Sequence, residues 1–193
     1  LSMGRTDTEY TVPSDVTTIK SINAIDNSSL TSLSFGTDVT TVESVALHLP
    51  NVTDVTIPVS LTSVTSLTGL SKLVNYHVAS GHSTYSDING VLFNQDGTTL
   101  IGYPIGRKGE QYKIPSSTGT IAESACLGVS FNTVDFSEAV NLKTISERAF
   151  AFCGAAGNLV LDLSKTKVER DASLPPKLWR FIAPWKPLPL LVA

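Results

Sequence analysis

One frame, apolar-x-apolar-Pro-x-x-apolar-Thr-x-apolar, comes back along this chain at nearly constant spacing. Tyr10-Thr11-Val12-Pro13-Ser14-Asp15-Val16-Thr17-Thr18-Ile19 aligns with Leu33-Ser34-Phe35-Gly36-Thr37-Asp38-Val39-Thr40-Thr41-Val42 and with Val55-Thr56-Ile57-Pro58-Val59-Ser60-Leu61-Thr62-Ser63-Val64. It returns at Tyr112-Lys113-Ile114-Pro115-Ser116-Ser117-Thr118-Gly119-Thr120-Ile121, and more loosely at Val134-Asp135-Phe136 with Leu142-Lys143-Thr144-Ile145. Val12 to Phe35 is 23 residues, Phe35 to Ile57 is 22, Ile57 to Val78 is 21 and Ile114 to Phe136 is 22. Periods of roughly 20–50 residues are the signature of stacked repeats, so the chain reads as a solenoid.

Each part of the frame has a physical role. The apolar-x-apolar step is a short strand whose alternate residues face inward. The proline that follows cannot donate to a ladder, so it turns the chain out of the sheet. The next apolar pair, Val16 with Ile19 or Leu61 with Val64, turns back inward as a second wall. A single coil cannot bury its own apolar face, so the core exists only between stacked coils.

Composition narrows the function classes. Only 16% of the 193 residues are charged and the formal net charge is −3, which argues against a phosphate-binding nucleic-acid surface. Ser and Thr make up nearly a quarter of the chain and keep a surface wet without charge. At 41% hydrophobic the chain is too apolar for disorder, and no stretch approaches the roughly 20 apolar residues of a membrane span. The basic residues favour the C-terminal half, from Arg107 and Lys108 onward, but Glu110, Glu123, Asp135 and Glu138 intersperse them, so this reads as an ordinary surface. Residues 1–9 read as an N-terminal remnant or edge, and Leu1-Ser2-Met3-Gly4 does not have the pattern of a secretory leader.

The period breaks once, because Val78 to Ile114 is 36 residues. Inside that interval Ser86-Asp87-Ile88-Asn89-Gly90-Val91-Leu92-Phe93 and Thr98-Thr99-Leu100-Ile101-Gly102-Tyr103-Pro104 flank Asn94-Gln95-Asp96-Gly97. Two apolar runs around a polar turn with Asp-Gly predict an inserted β-hairpin at about 84–104. Its side chains carry more apolar surface than a hairpin buries on itself, so packing on the solenoid is expected.

These residues resemble the BspA-like leucine-rich repeats, found in surface proteins of bacteria and some parasitic protists. The resemblance rests on the Ile57-Pro58-x-x-Leu61-Thr62-x-Val64 frame and on Ile145-Ser146-Glu147-Arg148-Ala149-Phe150-Ala151-Phe152-Cys153, similar to the family's Ile-x-x-x-Ala-Phe-x-x-Cys ending. The inserted Asn89-Gly90-Val91-Leu92-Phe93 through Leu100-Ile101-x-Tyr103-Pro104 is similar to a hairpin that recurs in the family. The likeness covers residues 10–165. The first repeats lack the Ala-Phe-x-x-Cys half, with Ile22-Asn23-Ala24-Ile25 and Val45-Ala46-Leu47 in its place, and Cys126 stands where the family has Phe. Segment 166–193 is atypical, and from Ser173 to Ala193 it holds five prolines and both tryptophans. The fold expected is a right-handed leucine-rich-repeat solenoid of α/β type, β-rich, with about six or seven coils, short parallel strands and an inserted β-hairpin.

The residues offer no catalytic constellation. His48, His77 and His82 have no Cys or carboxylate at metal-ligand spacing and read as solvated or coil-edge side chains. There is no Gly-x-Ser-x-Gly elbow and no phosphate-cradling glycine loop, so no catalytic, cofactor or metal site is expected. Cys126 and Cys153 sit at different offsets in their coils and are expected as free thiols in the convex wall. Asn27-Ser28-Ser29 and Asn51-Val52-Thr53 are glycosylation sequons, meaningful only in a eukaryotic secretory setting.

The candidate site is the outward side of the stacked strands: Thr11, Ser34, Thr56, His77, Lys113 and Asp135, flanked by Ser32, Asp54, Asn75, Gln111 and Thr133. Repeat proteins bind partners on such extended faces. The resemblance implies a non-enzymatic adhesion or protein-interaction module, at the cell surface or secreted, with a protein ligand such as a host extracellular-matrix protein. A structural spacer and a glycan-binding module are the alternatives; nucleic acid and membrane insertion are not expected.

Overall fold

A computed structural model describes residues 6–20, 29–43, 45–46, 49–64, 67–68, 70–155 and 167–168. The first coil contributes β1 (Glu9–Thr11) and β2 (Thr18–Ile19), the second β3 (Ser32–Ser34), β4 (Thr41–Val42) and β5 (Val45–Ala46). The third contributes β6 (Asp54–Ile57), β7 (Ser63–Val64) and β8 (Leu67–Thr68), and β9 (Asn75–Val78) opens the fourth. The insertion follows as β10 (Tyr85–Ile88), β11 (Val91–Asn94) and β12 (Thr99–Gly102). The remaining coils carry β13 (Gln111–Lys113), β14 (Thr120–Ile121), β15 (Ser130–Phe131), β16 (Thr133–Asp135), β17 (Thr144–Ile145), β18 (Gly154–Ala155) and β19 (Lys167–Val168). The chain is a β-solenoid of about five turns, built on parallel strands. His48, Asn27 and Ser28 of the first sequon, and segment 169–193 lie outside the described residues.

The repeat frame becomes register. On the first wall β1, β3, β6 and β9 pair in parallel, and Tyr10, Leu33, Val55 and Tyr76 stack as one inward column. Leu33, Val55 and Ile57 are fully buried, each contributing about 1.5–3 kcal/mol. Each strand then leaves the sheet through a turn closed by an i+3 amide, as in Val16 to the carbonyl of Pro13 and Leu61 to that of Pro58. The second wall stacks Ile19 on Val42 on Val64, and further along Leu100, Ile121 and Ile145, with β19 paired in parallel to β17.

The third wall differs from the α/β type expected: the described residues form no helix. In the two coils behind the insertion its described residues adopt left-handed backbone too often for a right-handed helix to start. Ser124 and Gly128 have φ of 56° and 72°, and their counterparts one coil on, Arg148 and Phe152, have φ of 53° and 57°. The amides of Ser124, Cys126 and Gly128 consequently donate across to the carbonyls of Glu147, Ala149 and Ala151 in the next coil.

The insertion also departs from a simple hairpin. It is a three-stranded antiparallel meander, because the run Ser86–Phe93 is itself folded back at Asn89-Gly90, with φ of 53° and 75°. Both residues with positive φ define the tight turn that Asn-Gly favours. β12 then joins β14 in parallel and so resumes the second wall.

The meander's apolar residues are buried, with Val91, Leu92, Phe93 and Leu100 at 2% exposure or less. Leu92 packs in the core of the coils ahead of the insertion, while Val91 and Phe93 pack in the core behind it. Alternate side chains of β11 therefore face different cores, and the strand is a partition buried on both sides.

Candidate binding face

The partition also divides the first wall. β9 does not pair with β13; its edge amides are taken by the insertion, Tyr76 N–H by the Gly90 carbonyl at 2.9 Å and Val78 N–H by Asp87 Oδ2 at 2.9 Å. The outward residues consequently fall into two patches. Thr11, Ser34, Thr56 and His77 stand in one register column, with Ser32, Asp54 and Asn75 in the column beside it. Lys113 and Asp135, with Gln111 and Thr133, form a second patch on β13 and β16.

Asp54 is the centre of the first patch. Its Oδ1 accepts from Asn75 Nδ2 at 3.0 Å and meets His77 Nε2 at 2.9 Å, while Oδ2 accepts from Thr53 Oγ1 at 2.7 Å. Burial alone would raise the carboxyl's pKa, but the hydrogen bonds from Thr53, His77 and Asn75, with the charge of His77, hold it below the usual value. Asn75 in turn accepts from Arg107 Nη2 at 2.8 Å. The same guanidinium donates to the carbonyls of Asn89 and Val74, at 2.7 and 2.6 Å. Arg107 thus ties the insertion to the edge of this patch, a role that its place in a mixed-charge run does not announce.

In the second patch Lys113 Nζ pairs with Glu138 Oε1 at 2.7 Å, both half-exposed. That bond raises the pKa of Lys113, and the Ser137 amide on Asp135 Oδ1 at 2.8 Å lowers the pKa of Asp135. Glu138 lies three residues beyond the strand that carries Asp135, so a strict strand ladder omits it. The face is a set of small hydroxyls and amides with two fixed charge clusters, suited to hydrogen bonding with an extended partner.

Two other sequence expectations are settled outside this face. His82 is not solvated: it is 4% exposed, stacked edge-on against Tyr85, and its Nδ1 accepts from the amides of Thr84 and Tyr85. The turn from Ala79, closed by the His82 amide, folds the ring under β10. Cys126 and Cys153 are free; the Cys153 thiol donates to the Cys126 carbonyl, and burial pushes its pKa up to about 12. Among the described residues no three His, Cys, Asp or Glu side chains gather where a metal ion could be held.

A repeat solenoid with an interrupted polar face defines the class of protein, and sequence comparison gives the family. Residues 6–95 and 107–172 match the BspA type Leucine rich repeat region, in six copies. The chain belongs to this family. The stretch between the two matched segments, 96–106, holds the last strand of the insertion. No curated protein matches the chain by sequence. Among solved structures, the pneumococcal vaccine antigen PcpA is 18% identical, with 77% of this chain and 58% of that one covered at a TM-score of 0.43. A leucine-rich repeat protein of Eubacterium ventriosum is 16% identical, with coverages of 79% and 61% and a TM-score of 0.40. A leucine rich cell surface protein of Faecalibacterium prausnitzii is 19% identical, with coverages of 74% and 50% and a TM-score of 0.46. The chain spans between half and about three-fifths of the length of these solved chains.

Proposed function

We propose that this chain is a non-enzymatic binding module of a cell-surface or secreted protein, acting through the outward face of its first wall. The observation that carries the reading is the in-register column Thr11, Ser34, Thr56 and His77 beside the hydrogen-bonded Asp54 and Asn75. A parallel ladder repeats donors and acceptors at strand spacing, about 4.8 Å, which matches an extended polar partner. The ligand is a protein, with an extracellular-matrix protein as the type implied by the resemblance to BspA-like surface proteins. The absence of exposed aromatic anchors on the face makes each contact weak, so affinity comes from repetition along a longer array. Among the described residues no helix is long and apolar enough to cross a membrane.

The test is a binding screen against matrix proteins and glycans, in monovalent and multivalent display. Thr56→Arg places a bulky cation at the centre of the first patch, and Lys113→Glu with Asp135→Lys reverses the second. Saturable binding to a matrix protein, weakened at least about tenfold by either change, supports the reading. Binding that ignores both changes overturns the assignment to this face. Binding to glycans alone replaces the protein ligand, and no binding even in multivalent display leaves the spacer.

A further inference from the structure

Behind the insertion, the third wall is held by amides that donate from one coil to the next. Ser124, Cys126 and Gly128 donate to the carbonyls of Glu147, Ala149 and Ala151 at 3.2, 2.8 and 2.8 Å. One coil on, the equivalent amides of Arg148, Phe150 and Phe152 meet no acceptor among the described residues. The wall thus ends in an open edge of three in-line donors, a template for one more extended segment. At that edge Phe152 is 84% exposed while held at a φ of 57°. A bulky side chain in left-handed backbone is strained, and this one buries little in return.

The chain that follows reaches this edge in register. β19 pairs with β17, Thr144 with Lys167 and Ile145 with Val168, and Val168 is the last described residue. Carried on, that register sets Arg170 beside Glu147, Asp171 beside Arg148, Ala172 beside Ala149 and Pro175 beside Phe152. Three features of those residues suit the edge. Ala125 and Ala149 are buried in a column that takes a small side chain, and Ala172 continues it. Ser124 and Arg148 are both left-handed, and Asp at the next place tolerates that backbone better than most residues. Glu147 and Arg148 are exposed charges, and Arg170 and Asp171 oppose them in sign.

We infer that the chain's own segment 169–174 docks on this edge as the next rung of the third wall, and that Pro175 closes the wall. The acceptors are the carbonyls of Arg170, Ala172 and Leu174, because Glu147, Ala149 and Ala151 hold those places one coil back. The pairs Glu147–Arg170 and Arg148–Asp171 fix the register, at the modest strength of exposed ion pairs. Pro175 falls where Gly128 and Phe152 have a positive φ, which proline cannot adopt, and it has no amide to offer a further rung. A proline at that place covers Phe152 and blunts the edge against pairing with other chains.

Amide-resolved hydrogen exchange of the whole chain, at two protein concentrations, tests this. The Phe150 and Phe152 amides exchange slowly, at the same rate at both concentrations. Ala172→Phe overfills the alanine column and speeds both amides about tenfold, with a smaller effect on Cys126 and Gly128. Arg148→Asp speeds them about threefold, and adding Asp171→Arg restores the parent rate. Cys126 and Gly128 report the wall one coil back in the same sample, so a lost rung is told apart from lost folding. The inference is overturned if Phe150 and Phe152 exchange as fast as in an unstructured peptide, or if neither Ala172→Phe nor Arg148→Asp changes their rates. Protection that grows with protein concentration assigns the edge to a second copy and overturns it too.

Discussion

Thr40 gives two donors to one atom of Thr17: its amide reaches the Thr17 carbonyl oxygen at 2.9 Å and its hydroxyl reaches the same oxygen at 3.2 Å. The relation repeats one coil on, from Thr62 to Thr40 at 3.0 and 3.3 Å. Ahead of the first wall, Thr31 does the same to Thr8 at 2.8 and 3.1 Å. Threonine abundance, which as composition reads as a wet surface, is here a staple between successive coils.

Replacing a stapling threonine with valine keeps the shape and the strand preference and deletes only the hydroxyl. Thr40→Val is therefore expected to cost about 0.5–1 kcal/mol, at the low end for hydrogen bonds because the site is exposed. Combining it with Thr31→Val, on the other wall, should be close to additive. Chemical denaturation checks this, and valine variants as stable as the parent would show that the hydroxyls contribute nothing.

The partition at β11 makes a sharper forecast. Leu92→Ala opens a cavity in the core ahead of the insertion and Phe93→Ala one in the core behind it, at about 2–5 and 3–5 kcal/mol. Because each coil relies on its neighbours, the damage should be regional. Hydrogen exchange should quicken in β3, β6 and β9 for Leu92→Ala, and in β14 and β17 for Phe93→Ala. Identical exchange patterns from the two variants would mean that the cores act as one.

Much of this architecture is legible before any coordinates. The spacing of Val12, Phe35, Ile57 and Val78 already fixes a coil, because inward residues must stack to be buried at all. The Asn89-Gly90 turn is legible too, as an Asn-Gly pair, yet it hides inside an apolar run that passes for one strand. Val91-Leu92-Phe93 is an unbroken apolar triplet, which reads as one arm of a hairpin packed on the solenoid; that the strand divides two cores emerges only in the fold. The candidate face is only half readable. Alternation places Thr56 and His77 outward, but the gap after β9 arises from Asp87 and Gly90 capping a strand edge, which no periodicity encodes. Arg107 reaches Asn75 across 32 residues, and nothing local marks that meeting.

The turn that starts the partition gives a graded test of glycine. At Gly90, with φ of 75°, an added β-carbon would lie 2.5 Å from Arg107 Nη2 and 2.6 Å from Asn75 Oδ1. At Gly81, with φ of 80°, it would meet nothing within 4 Å. Both alanine variants carry the left-handed cost of about 1–2 kcal/mol. Gly90→Ala carries in addition the displacement of the Arg107 contacts, so it should be the less stable in denaturant titration. Equal losses would show that Arg107 and Asn75 move aside freely.

Acid should weaken the fold through His82. Burial holds its pKa below the ordinary 6.5, with the carbonyls of Leu61 and Pro58 opposing that shift only in part. Nδ1 already accepts two amides, so a proton there would break both bonds. A folded pKa below the unfolded one means that the unfolded chain binds the proton first. The stabilisation from neutral His82 is complete above the unfolded pKa, near 6.5, and is lost as the pH falls from there through the lower folded pKa. His82→Gln keeps an acceptor for the two amides and cannot titrate. Its melting temperature should therefore drop less than the parent's between pH 7.5 and pH 5, a range of about 2.5 units centred near the histidine value. Parallel losses in both proteins would assign the acid sensitivity to other groups and remove His82 from the account.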